Sequence, residues 1–239
     1  MLIPLKTFSM RYSKSKLPRI FLIFCFVLLL AACEQDNYDK GEGTNSQMRA
    51  DFVEAHVNGD KRIDYVVTDD GDSLGTDPLF TTKAIETADT IYRGILYYNK
   101  VKKNDGKNVA EAKGMSLVPT LVPVPPTVLE SMKQDPLSFE SIWLSRNKRF
   151  LNVSIILKTG KVDEEDLYQT IAVAQDNVEE HDDGTKTLCC RLYHDQNNVP
   201  EYYSAQRYFS IPIRSLTADS LRLTIKTYSG ETVKTLAIK

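Results

Sequence analysis

Two acidic stretches hold the densest sets of side chains with chemical capacity. In "TDDGDSLGTD", residues 68–77, Asp69, Asp70, Asp72 and Asp77 could offer oxygen ligands to calcium. A helix-loop calcium site needs ligands at alternate positions, glycine at the sixth and a bidentate glutamate at the twelfth, whereas here Gly71 stands third from Asp69 and Phe80 twelfth. An Asp-Gly hairpin turn accounts for these residues without a metal. In "EEHDDG", residues 179–184, carboxylates surround His181, but no second His or Cys follows at zinc spacing, so the segment reads as a solvated hairpin tip. The chain has no Gly-x-Ser-x-Gly elbow, and His56, His181 and His194 give little general-base capacity. No catalytic residue, metal or cofactor is expected, and the protein is expected not to be an enzyme.

The cysteines carry a different chemistry. Of the four, Cys25 and Cys33 lie near the amino terminus, and Cys189 and Cys190 are neighbours. Adjacent residues of a strand point to opposite faces, so Cys190, in phase with Leu188 and Leu192, is expected in the core and Cys189 outside it as a free thiol. No disulfide framework results. Ahead of Cys33, Lys6, Arg11, Lys14, Lys16 and Arg19 form a basic region, and residues 20–32 are an unbroken apolar run. That run is too short to span a bilayer, which needs about 20 apolar residues. Leu30, Ala31 and Ala32 lead directly into Cys33 and resemble the lipobox of bacterial lipoproteins. The resemblance implies that residues 1–32 are a signal peptide and that the Cys33 thiol carries diacylglyceryl and acyl chains such as palmitate. Each buried methylene contributes about 0.8 kcal/mol, and a single chain anchors only marginally, so the multiple chains on such a cysteine make the anchor stable.

Glu34, Asp36 and Asp39 follow the cysteine and resemble the surface-export signal of some outer-membrane lipoproteins. They imply an outer-membrane location, displayed outward, with a periplasmic orientation as the alternative. Residues 33–48 have almost no apolar content and read as a flexible tether. Loss of residues 1–32 removes five basic and no acidic side chains from a chain of formal charge −2, so the mature chain is acidic. It is a poor match for nucleic acid, and no nucleic-acid partner is expected. The membrane partner is reached through the lipid.

Period-two alternation rich in Val, Ile, Thr and Tyr dominates the remainder. In "RFLNVSIILKT", Leu151, Val153, Ile155 and Leu157 fall on one face, with Asn152 and Ser154 on the other. Strands are predicted over 50–57, 62–68, 91–101, 108–118, 139–145, 149–158, 167–175, 186–193, 202–213, 220–228 and 232–238, separated by Asp-Gly and Ser-Gly turns. The fold class is all-β. Pro119, Pro123, Pro125, Pro126 and Pro136 forbid a central strand, so residues 119–136 form a Pro-rich junction. It separates a first domain, 49–118, the size of a small OB-like barrel, from a second, 137–239, the size of an antiparallel β-sandwich.

"YVVTDDGDSL", "DPLSFESIW", "RFLNVSIILKTG" and "RLYHDQNNVPEYYS" together resemble NigD-like lipoproteins, above all in Asp135, Pro136, Trp143, Phe150, Leu151 and Asn152. The resemblance implies an OB-like domain followed by a β-sandwich, and a non-enzymatic binding or interaction role linked to bacteriocin export or immunity, with an unknown envelope protein as partner. It brings no site residues. The alternative is a glycan-binding accessory lipoprotein of a polysaccharide-uptake system. For that role Tyr92 and Tyr98, on one strand face, and Tyr202 and Tyr203 are the candidate sugar-stacking residues. Asp-Ser/Thr-aliphatic triplets at Ser73, Thr90 and Ser220 resemble a bacterial O-glycosylation signal, which requires those hydroxyls at exposed strand ends.

Overall fold

The computed structural model describes residues 48–129, 131–161 and 167–239. The predicted signal peptide, the lipobox residues Leu30, Ala31 and Ala32, Cys33, and nearly all of the tether lie outside the described residues. Among the described residues no helix is long and apolar enough to cross a membrane.

The first lobe is a closed barrel of β1 (Met48–Val57), β2 (Ile63–Thr68), β3 (Ser73–Phe80), β4 (Ile91–Lys102) and β5 (Asn108–Leu117), in the order β1-β2-β3-β5-β4 and closed by β1 on β4. Only β3 and β5 pair in parallel, through Gly75 with Val109 and Thr76 with Ala110. A five-stranded barrel of this size matches the OB-like expectation. Alternate residues turn inward as a strand requires, so Val53, Ala55, Val57, Ile63, Val66, Leu74, Leu96, Tyr98 and Ala110 form one buried core.

Strand β3 lies where the sequence predicts no strand, because "SLGTDPLF" contains Gly75, Asp77 and Pro78, all poor strand formers. Its ladder to β2 uses Ser73, Leu74, Gly75 and Phe80 and omits Pro78, so the missing N–H costs no hydrogen bond there.

The second lobe is a β-sandwich. One sheet has the order β10-β7-β6, from β6 (Ser138–Leu144), β7 (Phe150–Thr159) and β10 (Tyr203–Pro212); the other has the order β12-β11-β9-β8, from β8 (Thr170–Glu180), β9 (Lys186–Asp195), β11 (Ser220–Thr227) and β12 (Gly230–Ala237). The pairings are antiparallel except β9 with β11, which run parallel because β10 crosses to the other sheet between them. Leu151, Val153, Ile155, Phe209 and Ile211 meet Leu188, Cys190, Leu192, Leu221, Leu223 and Ile225 across the core.

The proline-containing stretch carries isolated bridges in place of a strand: Thr120 to Ser210, Val124 to Ala174, Gln134 to His194 and Leu137 to Thr227. Proline lacks a donor but keeps its carbonyl, and Pro119 O accepts from Ser210 N at 2.9 Å. The segment runs from the edge of β10 to the edge of β8 and covers part of the open side of the sandwich.

The two thiols are both buried. Cys190 joins the core, and burial pushes its pKa up to about 12. Cys189 is not the exposed thiol expected: Arg222 covers it, with Nη1 3.5 Å from Sγ and 2.7 Å from Glu179 Oε1. Both thiols are free. Thiolate, not thiol, is the reactive form. A maleimide should therefore leave both unmodified in the native protein and label both after unfolding, as intact-mass measurement would record.

Candidate functional site

The side chains of β4 divide the molecule's architecture. Leu96 and Tyr98 point into the barrel, while Arg93, Ile95 and Tyr97 point out, toward the face of β10-β7-β6 that lies opposite the sandwich core. On that sheet the off-core positions carry Trp143, Asn152, Ser154, Tyr208 and Ser210. Asn152 and Ser210 are buried against the barrel's Arg93, and Ser154 is buried beside Glu140 and Gln206.

Arg93 joins the lobes. Its Nη1 and Nη2 donate to Asp69 Oδ1 and Oδ2, each at 2.7 Å; Nη2 also donates to Asn152 Oδ1 at 2.9 Å, and Nε to Ser210 Oγ at 3.2 Å. Asn152 Nδ2 returns a bond to Asp69 Oδ2 at 2.7 Å, and Ser210 Oγ donates to Asn152 Oδ1 at 2.7 Å. The guanidinium lies over Phe150 at 4.1 Å and Phe52 at 5.3 Å. Phe52 in turn meets Trp143 and Tyr208 edge-on, each at 5.5 Å between centroids. Arg149 Nη1 pairs with Glu54 Oε2 at 2.6 Å, and Asn147 Nδ2 donates to Thr68 O at 2.9 Å. Trp143 thus sits on this junction.

The carboxylates of residues 68–77 are all committed to cations: Asp69 to Arg93, Asp70 to Arg146, Asp72 to Lys100 and Asp77 to Lys103. The Lys100 ammonium beside Asp72 holds its carboxyl below the usual range. Gly71 takes the turn at φ 95°. At 179–184, Glu179 pairs with Arg222 and Glu180 with Lys186. His181 Nε2 lies 2.7 Å from Thr187 Oγ1. His56 stacks on Tyr65 at 4.0 Å, and His194 is buried with its ring nitrogens against Asp135 O and Gln169 Oε1. Among the described residues, no three His, Cys, Asp or Glu side chains come together as a metal-binding group.

Beyond the clamp the lobes part into a cleft of about 690 Å³, within the range typical of ligand sites, about 300–1,000 Å³. Ile95, Tyr97 and Leu117 form the barrel wall; Gln206, Arg207 and Tyr208 come from β10; Tyr168 and Ile171 come from the approach to and start of β8. Tyr97, Leu117 and Tyr168 are 37%, 42% and 69% exposed, so the apolar content of the cleft faces solvent. At its margin Ser154 Oγ donates to Glu140 Oε2 at 2.5 Å, and Gln206 Nε2 bonds both groups.

The predicted sugar-stacking residues do not converge here. Tyr98 is fully buried, its hydroxyl donating to Asp51 Oδ2 at 2.7 Å, because it shares the parity of core Leu96; it offers no ring to a sugar. Tyr92 is half-buried, and its hydroxyl accepts from the backbone N–H of Glu86 and Thr87, tying the preceding loop to the barrel. Tyr202 and Tyr203 are exposed at and just before the start of β10, with the Tyr202 ring against Gly160. Tyr97 and Tyr168 were missed. Alternation in β4 assigns Tyr97 to the outer face, but nothing local indicates that a second lobe stands opposite. Ser73 and Ser220 open β3 and β11 and Thr90 precedes β4; Ser73 is exposed, while Thr90 and Ser220 are half-buried and Ser220 Oγ lies 2.7 Å from Thr187 Oγ1.

The profile of the NigD-like C-terminal beta sandwich domain matches residues 120–239. Among solved structures, a NigD-like immunity protein from Bacteroides caccae is similar at 23% identity and TM-score 0.62, over 79% of this chain and 91% of that one. A candidate toxin-related protein from Parabacteroides distasonis is similar at 15% identity and TM-score 0.58, over 79% and 92%. A candidate lipoprotein from Bacteroides fragilis is similar at 9% identity and TM-score 0.55, over 81% and 99%. At these identities the likeness is one of fold. No curated protein matches the chain.

Proposed function

Because the chain belongs to the NigD-like family, we propose that it is a lipid-anchored outer-membrane protein, displayed outward, that acts by binding and not by catalysis, in bacteriocin export or immunity. The observation that carries the binding role is the open tyrosine-lined cleft between two lobes fixed by the buried Arg93 cluster. A preformed concave site on rigid strands binds without first ordering its walls. The anchor rests on Cys33 and its preceding Leu30, Ala31 and Ala32. The immunity reading draws on the fold shared with the Bacteroides caccae protein.

The anchor and the role are tested together. Labelled palmitate is expected in the wild-type chain and absent from Cys33→Ser, which should leave the membrane fraction. Cells lacking the protein should become more sensitive to bacteriocin-producing neighbours, with rescue by wild type and not by Cys33→Ser. Palmitate labelling without any change in sensitivity would keep the anchor and remove the immunity role. A second reading, glycan capture, is favoured by Tyr97, Tyr168 and Tyr208 beside Gln206 and Arg207, a set that suits ring stacking with polar contacts.

A further inference from the structure

One edge of the β10-β7-β6 sheet is only partly covered. Ser210 turns its backbone away from β7, donating N–H to Pro119 O at 2.9 Å and accepting from Leu121 N at 2.8 Å. In an antiparallel ladder such outward groups recur at every second residue. Ser204, Gln206 and Tyr208 share the parity of Ser210 in the pairing with β7, so their N–H and C=O groups face the same free edge. Among the described residues no strand pairs with β10 on that outer side. The Gln206 carbonyl instead accepts from the side chain of its own neighbour, Arg207 Nη1, at 3.0 Å.

The chain's own cover stops where the cleft begins. Residues 119–121 lie along β10 in the parallel sense, and one residue earlier Val118 N turns to Arg93 O. Open edges attract added strands, and native proteins usually cover them. Here the uncovered part runs along the cleft, opposite Tyr97 and Leu117. Arg207 is exposed there and has no carboxylate partner among the described residues.

Resting on the reading of the cleft as a binding site, we infer that its occupant is an extended acidic segment of another protein, added as a strand to the free edge of β10. The backbone of the segment bonds the outward groups of Gln206 and Tyr208, and its alternate side chains pack on Tyr97 and Leu117. Arg207 leaves the Gln206 carbonyl to a segment N–H and meets a segment carboxylate. A regular two-residue repeat of paired donors and acceptors is matched by a peptide backbone, whereas sugar hydroxyls have no such repeat.

Panning a phage-displayed random heptapeptide library against the full chain in detergent micelles tests this, with a glycan array in parallel. Enriched peptides are expected to alternate apolar residues and to contain Asp or Glu, and adding them should slow hydrogen exchange at the Gln206 and Tyr208 amides. Gln206→Pro removes one outward donor at an edge, where proline is tolerated, and should weaken these peptides about tenfold. Arg207→Glu should abolish the acidic preference. Peptides that bind with no protection at Gln206 and Tyr208 would overturn strand addition while leaving the cleft a binding site. Glycan binding that Tyr97→Ala removes, with no peptide enriched, would overturn the peptide occupant and favour glycan capture. Neither probe binding would overturn both the occupant and the binding role.

Discussion

Arg93→Ala is expected to destabilise the protein by about 3–5 kcal/mol, the usual cost of removing one partner from a buried ion pair. The Arg93 side chain is 4% exposed and Asp69 15%, so the abandoned carboxylate gains little water. The loss also leaves Asn152 Oδ1 with a single donor, Ser210 Oγ, and takes the cation from Phe150 and Phe52. Because this cluster joins the lobes, urea unfolding should split from one transition toward two, which fluorescence of the junction residue Trp143 and far-UV dichroism would report at different midpoints. Arg93→Lys should recover only part of the loss, since an ammonium cannot reproduce the bidentate fork. Replacing the pair together, Arg93→Met with Asp69→Leu, should restore more stability than either single change, because no lone charge then remains buried. A single-mutant cost within a few tenths of a kcal/mol would show that the cluster does not hold the lobes.

Tyr98→Ala and Tyr97→Ala, one position apart, should behave oppositely. Tyr98 is fully buried in the barrel and bonded to Asp51, so its truncation should cost about 3–5 kcal/mol as a large cavity in a small core. Tyr98→Phe, which keeps the ring, should cost about 0.5–1.5 kcal/mol for the lost hydrogen bond. Tyr97 projects into the cleft with 37% of its surface exposed, so its truncation should leave the unfolding midpoint nearly unchanged and act on ligand binding instead. Chemical denaturation of the three variants separates these outcomes. Equal destabilisation by Tyr97→Ala and Tyr98→Ala would contradict the assignment of faces.

That pair also marks how far sequence patterns reach. Alternation in β7 correctly assigns Leu151, Val153, Ile155 and Leu157 to the core and Asn152 and Ser154 to the other face, but parity does not say what covers the second face. The polar residues that pattern alone directs to solvent are buried here, Asn152 against the barrel's Arg93 and Asp69 and Ser154 beside Glu140 and Gln206. The clamp was illegible for the same reason: Asp69 and Asn152 are 83 positions apart and Arg93 and Ser210 are 117 apart, too far for any local period to connect. Tyr98 shares a face with Tyr92 and Leu96, as alternation requires, yet grouping them as an aromatic surface overlooked that Leu96 marks this face as the inside. Strand β3 was lost to its proline, whose position the barrel accommodates without a missing bond. The Asp-Gly hairpins and the all-β class were legible because turn chemistry and strand alternation are local.

The covered face of the β10-β7-β6 sheet bears on any attempt to divide the chain. Residues 120–239 match a family domain as a unit, but excising them would strip Arg93 from Asn152 and Ser210 and Phe52 from Trp143 and Tyr208. Such a fragment would present a sticky aromatic strip beside a half-open strand edge, the combination that drives self-association. The barrel acts toward its neighbour as a covalently attached solubiliser.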